Sequence, residues 1–110
     1  GKPIIEFQAI GHMLADMAME LEAARLITWR AAWKLQNGIP CSADASMAKV
    51  IGSETGSRCA TRGMQILGGY SYMVEYGMER FFRETKFMEI GGGTNQIQRN
   101  ILVKHLRAGD

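Results

Sequence analysis

Proline occurs only at positions 3 and 40, so neither the stretch between them nor anything after Pro40 contains the residue that most reliably breaks a helix. Such a chain can run in long helices, and its apolar spacing matches that outcome. Ile10, Leu14, Met17, Leu21 and Ala24 recur at three- and four-residue steps, the mark of one apolar helical face. Met13, Ala18, Ala31 and Ala32 widen the face, and Trp29 and Trp33 extend it towards its end. The pattern predicts a first helix over residues 4–36, roughly 45 Å long at the helical rise. Asn37-Gly38 supplies a stop and Ile39-Pro40 a turn. A helix of that length needs partner helices, which points to a bundle.

A second long helix is predicted from Ser42, which can cap it, with Asp44 well placed in its first turn. It should run to Leu67 and stop at Gly68-Gly69, anchored by Met47, Val50, Ile51, Met64 and Leu67. Gly52, Gly56, Ala60 and Gly63 form a ridge of small residues along it. Each glycine costs up to about 1 kcal/mol of helix propensity. Close approach of another helix would offset that cost; the alternative is a weak helical stretch. Residues 70–90 read as an aromatic-rich connection through Tyr70, Tyr72 and Tyr76, then a short helix near 78–83, with Phe87, Met88 and Ile90 packing again. The aromatic cluster fits a cofactor pocket or ordinary core and interface packing. A last helix is predicted from Asn95 towards Leu106, with residues 107–110 as a tail. The expectation is one all-α domain spanning residues 1–110, without internal repeats.

The 13 basic and 11 acidic residues leave a net charge of +2 and no basic run, which argues against a nucleic-acid-binding default. Cys41 and Cys59 match neither a disulfide framework nor a CxxC metal pattern, and His12 and His105 lie at opposite ends. No metal site is expected. No apolar run approaches a membrane span and no signal peptide is evident. A reducing compartment is expected, either cytoplasm or mitochondrial matrix.

No set of residues supports catalysis unaided. Asp16, Glu20 and Glu22 lie on polar positions of a helix and form no carboxylate dyad. Basic residues between 80 and 86 fit a phosphate contact or a solvated rim. The most distinctive segment is Gly91-Gly92-Gly93-Thr94, ahead of Asn95-Gln96-Ile97-Gln98-Arg99. Glycines admit close approach of a ligand to the backbone. The helix behind them leaves unpaired N–H groups, one of which Thr94 or Asn95 can cap. The loop lacks the Lys-Ser or Lys-Thr ending of a P-loop and any preceding strand. It reads either as a polar-ligand site, with Gln65 and Gln96 offering amides, or as a tight turn that only caps a helix.

Three segments resemble signatures of the acyl-CoA dehydrogenases. The first is Gly-Lys-Pro-Ile-Ile-Glu-Phe-Gln at 1–8, followed by Leu14-Ala15-Asp16-Met17 and Leu21-Glu22-Ala23-Ala24-Arg25. The second is Met64-Gln65-Ile66-Leu67-Gly68-Gly69-Tyr70 with Glu75-Tyr76. The third combines Arg80, Arg83-Glu84-Thr85-Lys86 and Gly92-Gly93-Thr94-Asn95-Gln96-Ile97-Gln98-Arg99. Together they cover essentially the whole chain in the family's order.

The resemblance implies the family's C-terminal up-and-down four-helix bundle, with FAD as cofactor and an acyl-CoA thioester oxidised to its trans-2-enoyl form. In that chemistry a glutamate removes the α-proton while hydride passes from the β-carbon to flavin N5, and an electron-transfer flavoprotein is the usual acceptor. It further implies a homo-oligomer, dimer or tetramer. Phe7 and Gln8 would face the FAD of a neighbouring subunit. Gln65, Gly68 and Gly69 would reach the adenosine-diphosphate portion across the interface, and Thr94 and Gln96 the FAD beside the last helix.

Two departures qualify these implications. Many members carry the catalytic glutamate immediately before Gly-Thr, where this chain has Gly92. Branched-chain and long-chain dehydrogenases also have a small residue there and take their base from an earlier helix, so no catalytic residue is assigned within this chain. By the same comparison the β-domain and the bundle's first helix are missing ahead of Gly1. Catalysis by this piece alone is therefore not expected. A catalytically altered relative, or a non-enzymatic helical assembly partner, is the alternative.

Overall fold

The computed structural model describes residues 1–109. They form four α-helices, α1 Gln8–Gln36, α2 Ser42–Leu67, α3 Met78–Ile90 and α4 Asn95–Ala108, with three short 3-10 turns and no strand among the described residues.

The helix ends refine the sequence expectations. The first helix starts at Gln8, because Ile4–Glu6 make a separate 3-10 turn and Phe7 is extended (φ −78°, ψ 121°). That turn folds back against the first turn of α1: a Cβ on Gly11 would stand 3.1 Å from the Ile5 carbonyl oxygen. At the other end Ile39 N–H donates to the Lys34 carbonyl at 2.9 Å and Gly38 N–H to that of Leu35 at 3.2 Å. Gly38 supplies the left-handed residue this closure requires (φ +67°).

Ser42 does not cap α2. The cap position belongs to Cys41, without a side-chain bond, and its carbonyl already accepts the Ala45 N–H at 2.8 Å. Helix α3 is longer than the predicted 78–83 segment, running to Ile90. Nothing breaks it before Gly91, and the pairs Arg80–Glu84 (2.7 Å), Arg83–Glu79 (3.5 Å) and Lys86–Glu89 (2.7 Å) run along its exposed side. The basic residues at 80–86 are therefore mostly engaged with carboxylates of their own helix. Helix α4 outlasts Leu106 and stops at Ala108, before Gly109 (φ +79°). Of the predicted tail, Asp110 lies outside the described residues.

The second helix is the hub, packing against each of the other three. It runs antiparallel to α1, with Lys34 and Arg30 meeting Asp44 at one end and Glu20 meeting Arg58 and Arg62 further along. It runs antiparallel to α3 as well, with Gly56 against Thr85 and Gly63 against Met78. Added Cβ atoms would stand 3.3 Å from Thr85 Cγ2 and 3.0 Å from Met78 Cε. Close helix approach thus explains Gly56 and Gly63. Gly52 has open space beside it and lines a cavity of about 230 Å³ with Lys49, Thr85 and Met88.

The bundle measures 57 × 24 × 24 Å, and its interior is thin. Ala24, Ala31, Val50, Cys59 and Ala60 are the buried apolar residues among those described, alongside buried Asp44, Ser46, Ser53, Thr55, Ser71 and Asn95. Trp29 and Trp33, expected to extend the apolar face, stay 60% and 57% exposed. Among the described residues no helix covers their face.

Candidate functional site

Thr94 is the residue that caps α4: its Oγ1 accepts the Ile97 N–H at 3.3 Å. Asn95, the other candidate, is buried and turned inward. Its side-chain oxygen accepts from Lys49 Nζ at 2.7 Å and Ser53 Oγ at 3.1 Å. Its Nδ2 lies 3.0 Å from Ser53 Oγ and 3.3 Å from Glu54 Oε1. Glu54 is tied in turn to Arg99 at 2.6 Å.

The preceding loop is held from the same helix. Lys49 also donates to the Glu89 carbonyl at 3.2 Å. Gln98 accepts from Ser46 Oγ at 2.8 Å and donates to the Gly92 carbonyl at 3.4 Å. Gly92 and Gly93 both occupy the left-handed region, at φ +66° and +88°. A Cβ at Gly93 would come within 2.9 Å of Gln98 Nε2 and force that side chain to shift from its bonds to Ser46 and Gly92, while the positive φ itself favours glycine. Gln96 is exposed on the first turn of α4, beyond this network.

The nearby carboxylates are committed. Glu54 is bonded to Arg99, and the Lys86 ammonium holds Glu89 below the usual carboxylate range. Gly92 contributes no side chain. The loop can therefore present hydrogen-bonding groups to a ligand, and none of its own residues is placed to take a proton from one.

Gln65, Gly68 and Gly69 come together in a second place. With Thr61, Met64, Ser71, Tyr72 and Phe82 they line a cleft of about 430 Å³. Gly68 is left-handed (φ +60°), and neither Gly68 nor Gly69 has an atom within 4 Å of a would-be Cβ. Backbone is therefore open to a polar group such as a pyrophosphate. Ser71 steadies the turn by donating to the Gly68 carbonyl at 2.7 Å. Tyr70 and Tyr76, two members of the aromatic cluster, pack beside this turn with centroids 5.1 Å apart and ring planes tilted by 40°. Lys49 and Gln65 are separated by about 24 Å along α2, so the cleft and the glycine loop are distinct places.

Phe7 and Gln8 stand at the exposed, uncapped start of α1. The antiparallel register of α1 and α2 puts them at the same end of the bundle as Gly68 and Gly69. Lys2 Nζ sits 4.6 Å from the Phe7 ring centroid, a cation–π contact on an otherwise open face. Thus Gln65, Gly68 and Gly69 share one cleft, Thr94 and Gln96 share one helix start, and Phe7 with Gln8 forms a third point. The open backbone at Gly68 and Gly69 fits a phosphate group, and at the helix start Gly92 alone of the three loop glycines offers comparable room.

Sequence reading missed Lys49, Ser53 and Gln98, and took Asn95 only as a possible cap. Nothing in their local pattern distinguishes them from solvated helix positions; their roles depend on α2 meeting α4. Among the described residues no cluster of His, Cys, Asp and Glu could hold a metal. Glu20, read as solvated or interface-bound, pairs inside the chain with Arg58 at 2.8 Å and Arg62 at 2.7 Å. Those guanidiniums, Arg58 foremost, hold its carboxyl low. Glu22 pairs with Arg25, three residues on.

A hub helix flanked by antiparallel partners, with left-handed Gly77 at the start of α3 and Gly91–Gly93 at its end, defines an all-α bundle of a particular type. Residues 1–107 match the family described as acyl-CoA dehydrogenase, C-terminal domain, and the chain belongs to that family. It is 46% identical over 106 residues to the probable acyl-CoA dehydrogenase YngJ of Bacillus subtilis, covering 96% of this chain and 28% of that protein. It is 45% identical to the short-chain specific acyl-CoA dehydrogenase, mitochondrial, of Bos taurus, covering 96% and 26%. Butyryl-CoA dehydrogenase from Megasphaera elsdenii superposes with a TM-score of 0.95 at 42% identity, covering 97% and 28%. The chain thus spans about a quarter of the length of the relatives it matches.

Proposed function

We propose that residues 1–110 form a single C-terminal-like helical domain of an FAD-dependent acyl-CoA dehydrogenase, part of a longer chain or assembly. The reaction would be α,β-dehydrogenation of an acyl-CoA thioester to the trans-2-enoyl-CoA. Bound FAD supplies the two-electron acceptor for that oxidation. The observation that carries the reading is agreement between the family match over residues 1–107 and open backbone at Gly68, Gly69 and Gly92, all within the family's signature segments.

In this reading Gln65, Gly68 and Gly69 hold the adenosine-diphosphate portion, Thr94 and Gln96 hold the flavin-side end, and Phe7 and Gln8 face a neighbouring subunit's cofactor. A homo-oligomer, dimer or tetramer, is supported by the large apolar side chains left exposed, Leu26, Trp29, Trp33 and Leu35 among them. An electron-transfer flavoprotein is the proposed acceptor. Cytoplasm or mitochondrial matrix is the proposed location, and no helix among the described residues is long and apolar enough to cross a membrane.

Gly92 leaves the loop without a proton acceptor, so the base is assigned to the rest of the enzyme and the 110 residues alone are inactive. Gly92 equally favours a second reading, a catalytically altered relative that serves as a structural partner. Intact mass and visible absorption of the protein as isolated come first, followed by assay against a panel of acyl-CoA esters. A larger parent mass with flavin bands and turnover supports the dehydrogenase. Flavin without turnover on any ester selects the altered relative, and a 110-residue mass without flavin removes the claim of intrinsic cofactor binding.

A further inference from the structure

We propose that Lys49 is the positioning residue of the 91–94 loop. The loop has little to hold itself: Gly91, Gly92 and Gly93 have no side chains, and two of them are left-handed. It is fastened at both ends by one ammonium on another helix. Lys49 Nζ bonds the Glu89 carbonyl at 3.2 Å, two residues ahead of the loop, and Asn95 Oδ1 at 2.7 Å, the first residue beyond it. A single cation thereby fixes the end of α3 relative to the start of α4.

Its two acceptors explain why a lysine serves. The Glu89 carbonyl lies in the last turn of α3, where a cation is favoured, whereas the start of α4 disfavours one. Asn95 resolves the conflict by placing a neutral side-chain oxygen between the ammonium and the helix start, while Ser53 and Glu54 hold the amide. The half-buried Lys49 stem lines the cavity beside Gly52 and Gly56, and the two acceptors fix where its head ends. Thr94 and Gln96 project from the segment it fixes. Lys49 acts on a ligand only through them and through the loop amides.

The clamp itself is independent of what the loop binds; its consequence for a ligand rests on the flavin reading above. Hydrogen exchange of the 91–97 peptide, together with FAD affinity, tests both in the protein as isolated, in Lys49→Met and in Lys49→Arg. The methionine keeps the stem and removes the donors. Exchange in 91–97 is expected to accelerate at least about tenfold in Lys49→Met, with peptides of α1 unchanged, and the FAD dissociation constant to rise by a similar factor. Lys49→Arg should recover both to within about threefold.

Unchanged exchange in Lys49→Met overturns the clamp. Faster exchange with unchanged FAD affinity overturns the positioning role while leaving the flavin reading intact. If the parent protein binds no FAD, the flavin reading and the positioning role fall together, and exchange still decides the clamp. Should Lys49→Met not fold, the ¹⁵N-resolved ammonium signal of Lys49 in the parent protein decides: slow exchange and contact with Asn95 support the clamp, and a solvent-averaged signal refutes it.

Discussion

Lys34 and Asp44 face each other across the turn that joins the first two helices, ammonium to carboxylate at 2.6 Å, with the aspartate only 4% exposed. Arg30 Nε adds an ion pair at 2.9 Å. Lys34 foremost, with Arg30 behind it, outweighs burial and holds the Asp44 carboxyl below its ordinary 3.8. Replacing Lys34 by methionine strips a buried carboxylate of its hydrogen-bonded partner and should cost about 2–3 kcal/mol in urea unfolding near neutral pH. Because the folded value is depressed, this stabilisation is complete above about pH 4 to 5 and is lost as pH falls through the lowered folded value. The parent protein and Lys34→Met should therefore converge in stability towards strong acid.

The small-residue ridge on α2 divides on substitution. Gly52→Ala meets open space and should raise stability by up to about 1 kcal/mol through helix propensity. Gly56→Ala presses on the branched Thr85 at 3.3 Å and should give little or none of that gain. Thermal unfolding of both variants checks the order; equal gains would mean that α3 does not lie against Gly56.

Within the glycine loop, Gly92→Glu has room for a side chain but must hold it at φ +66°. The expected penalty is about 1–2 kcal/mol, with the fold retained in circular dichroism. Gly93→Ala adds contact with Gln98 at 2.9 Å and should be the costlier of the two, although its side chain is smaller.

The thiols should separate by reactivity. Burial raises the Cys59 thiol above its ordinary 9.0, and the residue is 8% exposed, whereas Cys41 is half-buried and both are free. A thiol reagent at mildly alkaline pH should label Cys41 first and reach Cys59 mainly on unfolding. Mass spectrometry of partially labelled protein shows the order.

Helix content was legible because it rests on local signals: apolar spacing in α1, Asn37-Gly38 as a stop, and Gly68-Gly69 as another. What failed was also local in origin but depended on three-dimensional context. Ser42 has the chemistry of a cap, yet the helix had already begun at the Cys41 carbonyl. The sequence pattern ends the short helix near 83 and expects Phe87, Met88 and Ile90 to pack, whereas the helix runs on to Ile90 and all three side chains stay exposed because no further element among the described residues covers them. The grouping of Gln65, Gly68 and Gly69 followed from their adjacency in sequence. Lys49 and Asn95 were invisible as a pair, since only the crossing of α2 and α4 joins them.

Among the described residues, six buried polar or charged residues stand beside five buried apolar ones, none of them larger than valine. Small aliphatic contacts tolerate sliding, because one alanine resembles the next. Hydrogen bonds do not. Slipping α4 along α2 by a single turn, about 5.4 Å, would separate Asn95 from Ser53 and Lys49, and Gln98 from Ser46, all at once. The bundle is thus keyed rather than greased: its helices have one permitted alignment, and a partner arriving on the open faces meets a surface whose relief is already set.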